Sequence, residues 1–197
     1  MVIELFSGNG DITFALRNAG ISCLSCDFDK SKKPDIVADV YKLAPSFLRS
    51  FDFIWASPDC TTYSFASHGL HRLKGGVPVS DYAKECDFNN ARFVALLKDL
   101  NVPFIIENPR AHLRHMPFMS GLHRCCVYYS SYGAQYSKPT DFFSNFDLSS
   151  YFDTSVKNTG VHLDYCKGPK DFLGRCKIPD KLVADIVRCI SENKLCH

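Results

Sequence analysis

Short apolar runs alternating with helix-length amphipathic stretches fill the first sixty residues, and that alternation restricts the chain to few architectures. Strands separated by helices pair in parallel while the helices cover the sheet, so the pattern predicts an α/β fold with a mostly parallel sheet and helices on both faces. Residues 2–6 read as the first strand, 7–10 as a tight turn, and 11–19 as a helix ending at Gly20, which suits a left-handed cap. Further strands are expected at 21–26, around Val37 and at 51–56, with a helix over 41–49 interrupted by Pro45. Residues 67–80 mix glycines, basic side chains and a proline without periodicity, the signature of a functional loop or lid, with Gly75 and Gly76 as its hinge. A helix over 81–100 turns Phe93, Val94, Leu96 and Leu97 to the core, and a buried strand follows at 103–107. The remainder reads as a strand at 124–130, an irregular region over 131–178 and a helix over 179–190 opened by proline.

With 197 residues, 46% of them hydrophobic and 13% aromatic, the chain can bury one core, so a single domain over 1–197 is expected. A formal charge of +2 confines any nucleic-acid site to a local patch. The sequence has no secretory leader pattern and no apolar run near the roughly 18 residues that span a bilayer, so a soluble intracellular protein, cytoplasmic or nuclear, is expected. Its ten cysteines are then free thiols rather than a disulfide framework. Cys23 and Cys26 have zinc-knuckle spacing, but three residues apart on a strand they face opposite sides; no metal site is expected, although Cys166 and Cys176 leave one open.

The turn Phe6-Ser7-Gly8-Asn9-Gly10 lets a backbone approach a ligand at a helix start. Alone it is an ordinary strand-to-helix turn. Asp27-Phe28 at the second strand end supplies an acceptor for ribose hydroxyls and an aromatic for an adenine face. Asp39 and Val40, after the third, supply an acceptor and an apolar contact for the base. Three successive strand ends of this kind point to a nucleoside cofactor. Thr13 stands where a dinucleotide fingerprint needs glycine, which argues against a dehydrogenase.

After the fourth strand comes Ser57-Pro58-Asp59-Cys60-Thr61-Thr62-Tyr63-Ser64, and after the fifth Glu107-Asn108-Pro109. With Phe6-x-Gly8-x-Gly10, these resemble the cofactor, nucleophile and Glu-Asn motifs of the cytosine-C5 DNA methyltransferases, and 132–141 resembles short phage- and virus-type members. The resemblance implies a Rossmann-like fold using S-adenosyl-L-methionine, with Cys60 as nucleophile, Glu107 and Asn108 on the target base and Lys138 beside the thiol. The cofactor would meet Phe6, Ser7, Gly8, Asn9, Gly10, Asp27, Phe28, Asp39, Val40 and Ser57. DNA, single- or double-stranded, would meet Ser64, His68, His71, Arg72, Lys74, Arg110 and Arg114. Asp59 stands where the family has proline, and Lys138 alone keeps the charge of its basic element. With no separate target-recognition domain in view, a homodimer or targeting partner is expected. The same chemistry on RNA, and a catalytically impaired regulator that binds cofactor or nucleic acid, remain the alternatives.

Overall fold

The computed structural model describes residues 1–155 and 178–195. Its centre is a seven-stranded sheet of β1 (Val2–Leu5), β2 (Cys23–Asp27), β3 (Ile36–Val37), β4 (Phe53–Ala56), β5 (Phe104–Pro109), β6 (His123–Tyr128) and β7 (Pro139–Ser144), in the order β3-β2-β1-β4-β5-β7-β6. Strands β1 to β5 run parallel, and β7 lies antiparallel to both β5 and β6.

Side-chain alternation divides the core between the two faces. Ile3, Leu5, Ile54, Ala56, Phe104 and Ile106 pack with Leu48 of α2 (Pro45–Leu48) and with Phe93, Val94 and Leu97 of α3 (Asp81–Asp99). Val2, Phe53, Trp55 and Ile105 face the other way, against Ile12 and Leu16 of α1 (Asp11–Asn18) and Leu182, Ile186 and Ile190 of α4 (Asp180–Asn193). Cys23 joins the second group and Cys26 the first, as their spacing on a strand requires.

The expected strands and long helices are present, with two differences. Residues 41–49 are not one helix: Val40–Lys42 form a single 3₁₀ turn, and α2 starts afresh with Pro45 in its first turn. The region expected to be irregular contains β7. Its signal was masked because Phe142 and Phe143 are buried on opposite faces, which removes the polar alternation of a one-sided strand. Pro139 sits at the first position, where a strand tolerates a missing N–H. Cys166, Cys176 and Cys196 lie outside the described residues.

Sheet order reverses at β1: the chain moves outward through β2 and β3, then returns to pair β4 on the other side of β1. Loops leaving the carboxyl ends of neighbouring strands diverge at such a point and open a crevice.

Candidate active site

That crevice is a cleft of about 440 Å³, within the range of small-molecule sites, and it is lined from four strand ends at once. After β1 come Phe6, Ser7, Gly8 and Asn9; from β2, Asp27 with Phe28 and Asp29; after β4, Ser57, Pro58, Asp59 and Cys60; from β5, Glu107 and Pro109. Lys138, preceding β7, and Tyr129 close the far wall.

The glycine turn leaves open space beside the backbone. Gly8 and Gly10 have φ of 49° and 73°, and a Cβ on either would meet nothing within 4 Å. Phe6 is also left-handed at φ 55°, a conformation that costs a non-glycine residue about 1 kcal/mol or more. Asp27 holds the turn: Oδ2 accepts the Gly8 N–H at 2.8 Å and Oδ1 the Asp29 N–H at 2.9 Å. Carboxylate oxygens have further lone pairs, so this role leaves acceptor capacity toward the cleft. The Ser7 hydroxyl is buried without a hydrogen-bond partner among the described residues, and Phe28 stands 76% exposed at the rim. An orphaned hydroxyl, an unfilled glycine turn, an acid and a free aromatic face fit a polar ligand with a nucleoside part.

At the other end of the cleft, Cys60 is half-buried, and its carbonyl accepts the N–H groups of Tyr63 and Ser64, so a tight turn fixes the thiol. Burial, then the nearby Glu107 and Asp59, push that thiol up to about 11, while Lys138 pulls it down. Burial also raises the Glu107 carboxyl above its usual range, against the lowering effects of Lys138 and a hydrogen bond with Ser57. Lys138 lies 4.9 Å over the Tyr129 ring. Asn108 is buried, donating to the Pro58 carbonyl at 3.0 Å, so it ties β5 to the loop carrying Cys60; its Oδ1 has no partner among the described residues.

Several cleft residues were not singled out from the sequence. Trp55 donates to Ser57 Oγ at 2.9 Å, and Tyr129 supports Lys138. Glu4 is a buried carboxyl that accepts the Thr13 N–H at 2.7 Å and the Thr13 hydroxyl at 2.6 Å at the start of α1. An acid inside the apolar run Val2-Ile-Glu-Leu5 was the available signal.

Five expected contacts are corrected, the first being Gly10, which lies outside the cleft lining and caps the start of α1 in a left-handed conformation. Asp39 lies outside the cleft lining, its carboxylate accepting the Tyr41 N–H and pairing with Lys42, and Val40 is in the core. Arg72 is fully buried: it pairs with Asp87 at 2.6 Å, donates to the Thr62 and Gly76 carbonyls, and lies 4.4 Å over the Tyr63 ring. Arg114 forms a bidentate pair with buried Asp141. Both guanidiniums are neutralised inside the protein, so neither is a phosphate contact. The loop at 67–80 is accordingly a folded clasp rather than a lid hinged at glycines: Gly76 abuts His112, His68 Nε2 contacts His112 Nε2, and the His112 N–H donates to the Tyr63 carbonyl. His68, Lys74 and Arg110 are exposed, Ser64 is half-buried, and His71 shares a hydrogen bond with Ser80 at 2.8 Å.

The sequence matches no protein-family model and no curated protein. Its backbone is nevertheless similar to solved structures. One is an Escherichia coli prophage-encoded putative DNA modification methyltransferase, at 19% identity and TM-score 0.50 over 78% of this chain and 48% of that one. A second is the Schizosaccharomyces pombe Dnmt2 methyltransferase, at 15% identity and TM-score 0.53 over 81% of this chain and 57% of that one. A third is the Entamoeba histolytica methyltransferase EhMeth, at 14% identity and TM-score 0.53 over 79% of this chain and 60% of that one. The fold is that of the Rossmann-like methyltransferases. The chain spans roughly half the length of these neighbours. In this fold the glycine turn after β1 and the acid ending β2 stand at the switch point where α/β sheets bind nucleosides.

Proposed function

We propose that the chain is an S-adenosylmethionine-dependent methyltransferase acting on cytosine C5 in DNA, with Cys60 as nucleophile. The observation that carries this reading is a shared cleft: Cys60, Glu107 and Lys138 line the same crevice as the glycine turn and Asp27. Phe6, Ser7, Gly8, Asn9, Asp27, Phe28 and Ser57 would hold the cofactor, which supplies an electrophilic methyl group when bound.

The chain's own residues do the rest. Cytosine C5 is a weak nucleophile until something adds at C6. The Cys60 thiolate forms that bond, and the electron pair displaced from the C5–C6 double bond makes C5 nucleophilic. Glu107, whose burial favours its protonated form, keeps a proton at N3 and balances the charge. Asn108 positions the loop of Cys60 through the Pro58 carbonyl. After methylation solvent water takes the C5 proton, Glu107 takes back the N3 proton, the double bond re-forms and the thiolate leaves. Lys138 stabilises that thiolate and offsets the push of Glu107 and Asp59. A target inside a duplex must first leave the stack.

The measurement is methyl transfer from labelled S-adenosylmethionine to mixed-sequence DNA, followed by digestion to nucleosides. Label in 5-methylcytosine that Cys60→Ser loses supports the reading; label in another nucleoside, or retained by Cys60→Ser, overturns it. One observation favours a second reading: a thiol held near 11 beside Asp59 is poorly ionised at neutral pH, as suits a binding module without turnover. Cofactor binding without transfer to DNA or RNA would select it.

A further inference from the structure

Helix α3 grips the segment after β4 at two depths. In the interior, the Tyr63 hydroxyl donates to Asp87 Oδ1 at 2.9 Å and accepts from Asn90 Nδ2 at 3.0 Å. At the cleft mouth, the Tyr82 hydroxyl donates to Asp59 Oδ2 at 2.7 Å. Tyr82 and Asn90 both reach this segment because residues i, i+4 and i+8 share one side of a helix. The other Asp59 oxygen accepts the Thr61 N–H at 3.1 Å and the Thr61 hydroxyl at 2.6 Å. One carboxylate therefore ties both sequence neighbours of Cys60 to α3. From β5, Asn108 holds the same segment through the Pro58 carbonyl at 3.0 Å.

We propose that Tyr82 is a positioning residue for Cys60, acting through Asp59 to hold the thiol on its line of attack toward the target base. The inference rests on the methyltransferase reading above. Bond formation at C6 needs sulfur and carbon held close and aligned, and a displacement of about 1 Å can cost roughly 10²-fold in rate. Asp59 does not restrict its own backbone: it stands where the resembled family has proline, whose ring fixes φ covalently. Here the hydrogen bonds from Tyr82 and Thr61 supply that restraint. Burial, then the hydrogen bond to Asp59, hold the Tyr82 phenol above its usual range, so it remains a donor through neutral pH. Its ring stands edge-on to His71 at 5.8 Å, a contact that does not depend on the hydroxyl. Removing the hydroxyl alone releases Asp59 Oδ2 and leaves the ring in place. The charge of Asp59 pushes the thiol up, whereas its hydrogen bonds aim it, so the two effects of this carboxylate are separable.

The test compares single-turnover methyl transfer from labelled S-adenosylmethionine to cytosine-containing DNA with iodoacetamide alkylation read at Cys60 by peptide mass spectrometry, in the full chain and its variants. In Tyr82→Phe the rate at saturating DNA should fall about tenfold, with the half-saturating DNA concentration and the cofactor affinity within about twofold. Alkylation of Cys60 at pH 8 should stay within about twofold, because a small reagent needs no fixed line of attack. Asp59→Ala should lose as much transfer as Tyr82→Phe. Asp59→Asn should restore it to within about threefold, since its carbonyl serves Thr61 and its amide donates to the Tyr82 oxygen. Four results overturn the positioning role and leave the methyltransferase reading standing. They are transfer by Tyr82→Phe within about twofold of the unmodified chain, a loss matched by slower alkylation, a loss confined to the half-saturating DNA concentration, or Asp59→Asn as slow as Asp59→Ala. Absence of methyl transfer to cytosine by the unmodified chain overturns both.

Discussion

At Glu4, desolvation outweighs the donors from Ile12 and Thr13 and lifts the carboxyl to about 7. A carboxyl that binds its proton more tightly when folded contributes stability that is complete below about pH 4.5 and is lost as pH rises through 7. The ligand-free protein should thus lose up to about 3 kcal/mol between pH 5 and 8 from this group. Urea unfolding at several pH values measures it, and in Glu4→Gln that component should vanish; an unchanged pH slope would assign it elsewhere. At Cys60, a thiol near 11 predicts that iodoacetamide alkylation of the free protein climbs steadily from pH 7 to 10 without a plateau. Lys138→Ala removes the positive charge that, among the described residues, lowers this thiol, and should slow alkylation at pH 8 severalfold. A plateau below pH 8 would mean the thiol is already activated in the free protein. The places of Cys60, Glu107 and Asp27 in the cleft were legible because each follows an apolar run at a strand end. Glu4 was visible only as an acid out of place in such a run.

Elements carry the next set of consequences. The strand runs and long helices were legible because their periods differ, 2 against 3.6. The direction of β7 was not, since pairing between distant segments leaves no local signal. The clasp was misread for a related reason: Arg72 looks like a surface cation until Asp87, on another element, neutralises it. Arg72 also holds the Thr62 and Gly76 carbonyls, so it joins α3 to both ends of the loop that follows Cys60. Replacing it by Ala leaves Asp87 without its cation and those carbonyls without a donor. Because Asp87 is partly exposed, the cost should fall at about 2–4 kcal/mol, below that of a fully buried pair. Thermal unfolding of Arg72→Ala measures this. A loss under about 0.5 kcal/mol, with weakened nucleic-acid binding instead, would restore Arg72 to the surface role expected from sequence.

For the whole molecule, the sheet order brings residues more than a hundred apart in sequence to one crevice. The glycine turn and Asp27 stand at one end, with Cys60 and Glu107 at the other. That separation predicts that the two halves fail independently. Asp27→Ala should weaken S-adenosylmethionine binding by about 1–3 kcal/mol, the scale of lost charge-assisted hydrogen bonds and a loosened turn. Cys60→Ser should leave that affinity within a few-fold, and titration calorimetry distinguishes the two. The assembly of the crevice was implied by strand order of the α/β type, whereas the withdrawal of Asp39 and Val40 from it required the packed structure. The central claim, that Cys60 attacks cytosine in a cleft shared with the methyl donor, is tested most directly by covalent trapping. The protein is mixed with S-adenosylmethionine and strands containing 5-fluorocytosine, whose C5 has no proton to lose. A denaturation-resistant adduct that requires the cofactor and disappears in Cys60→Ala is the predicted result; an adduct that persists in Cys60→Ala, or none on strands that bind, would contradict it.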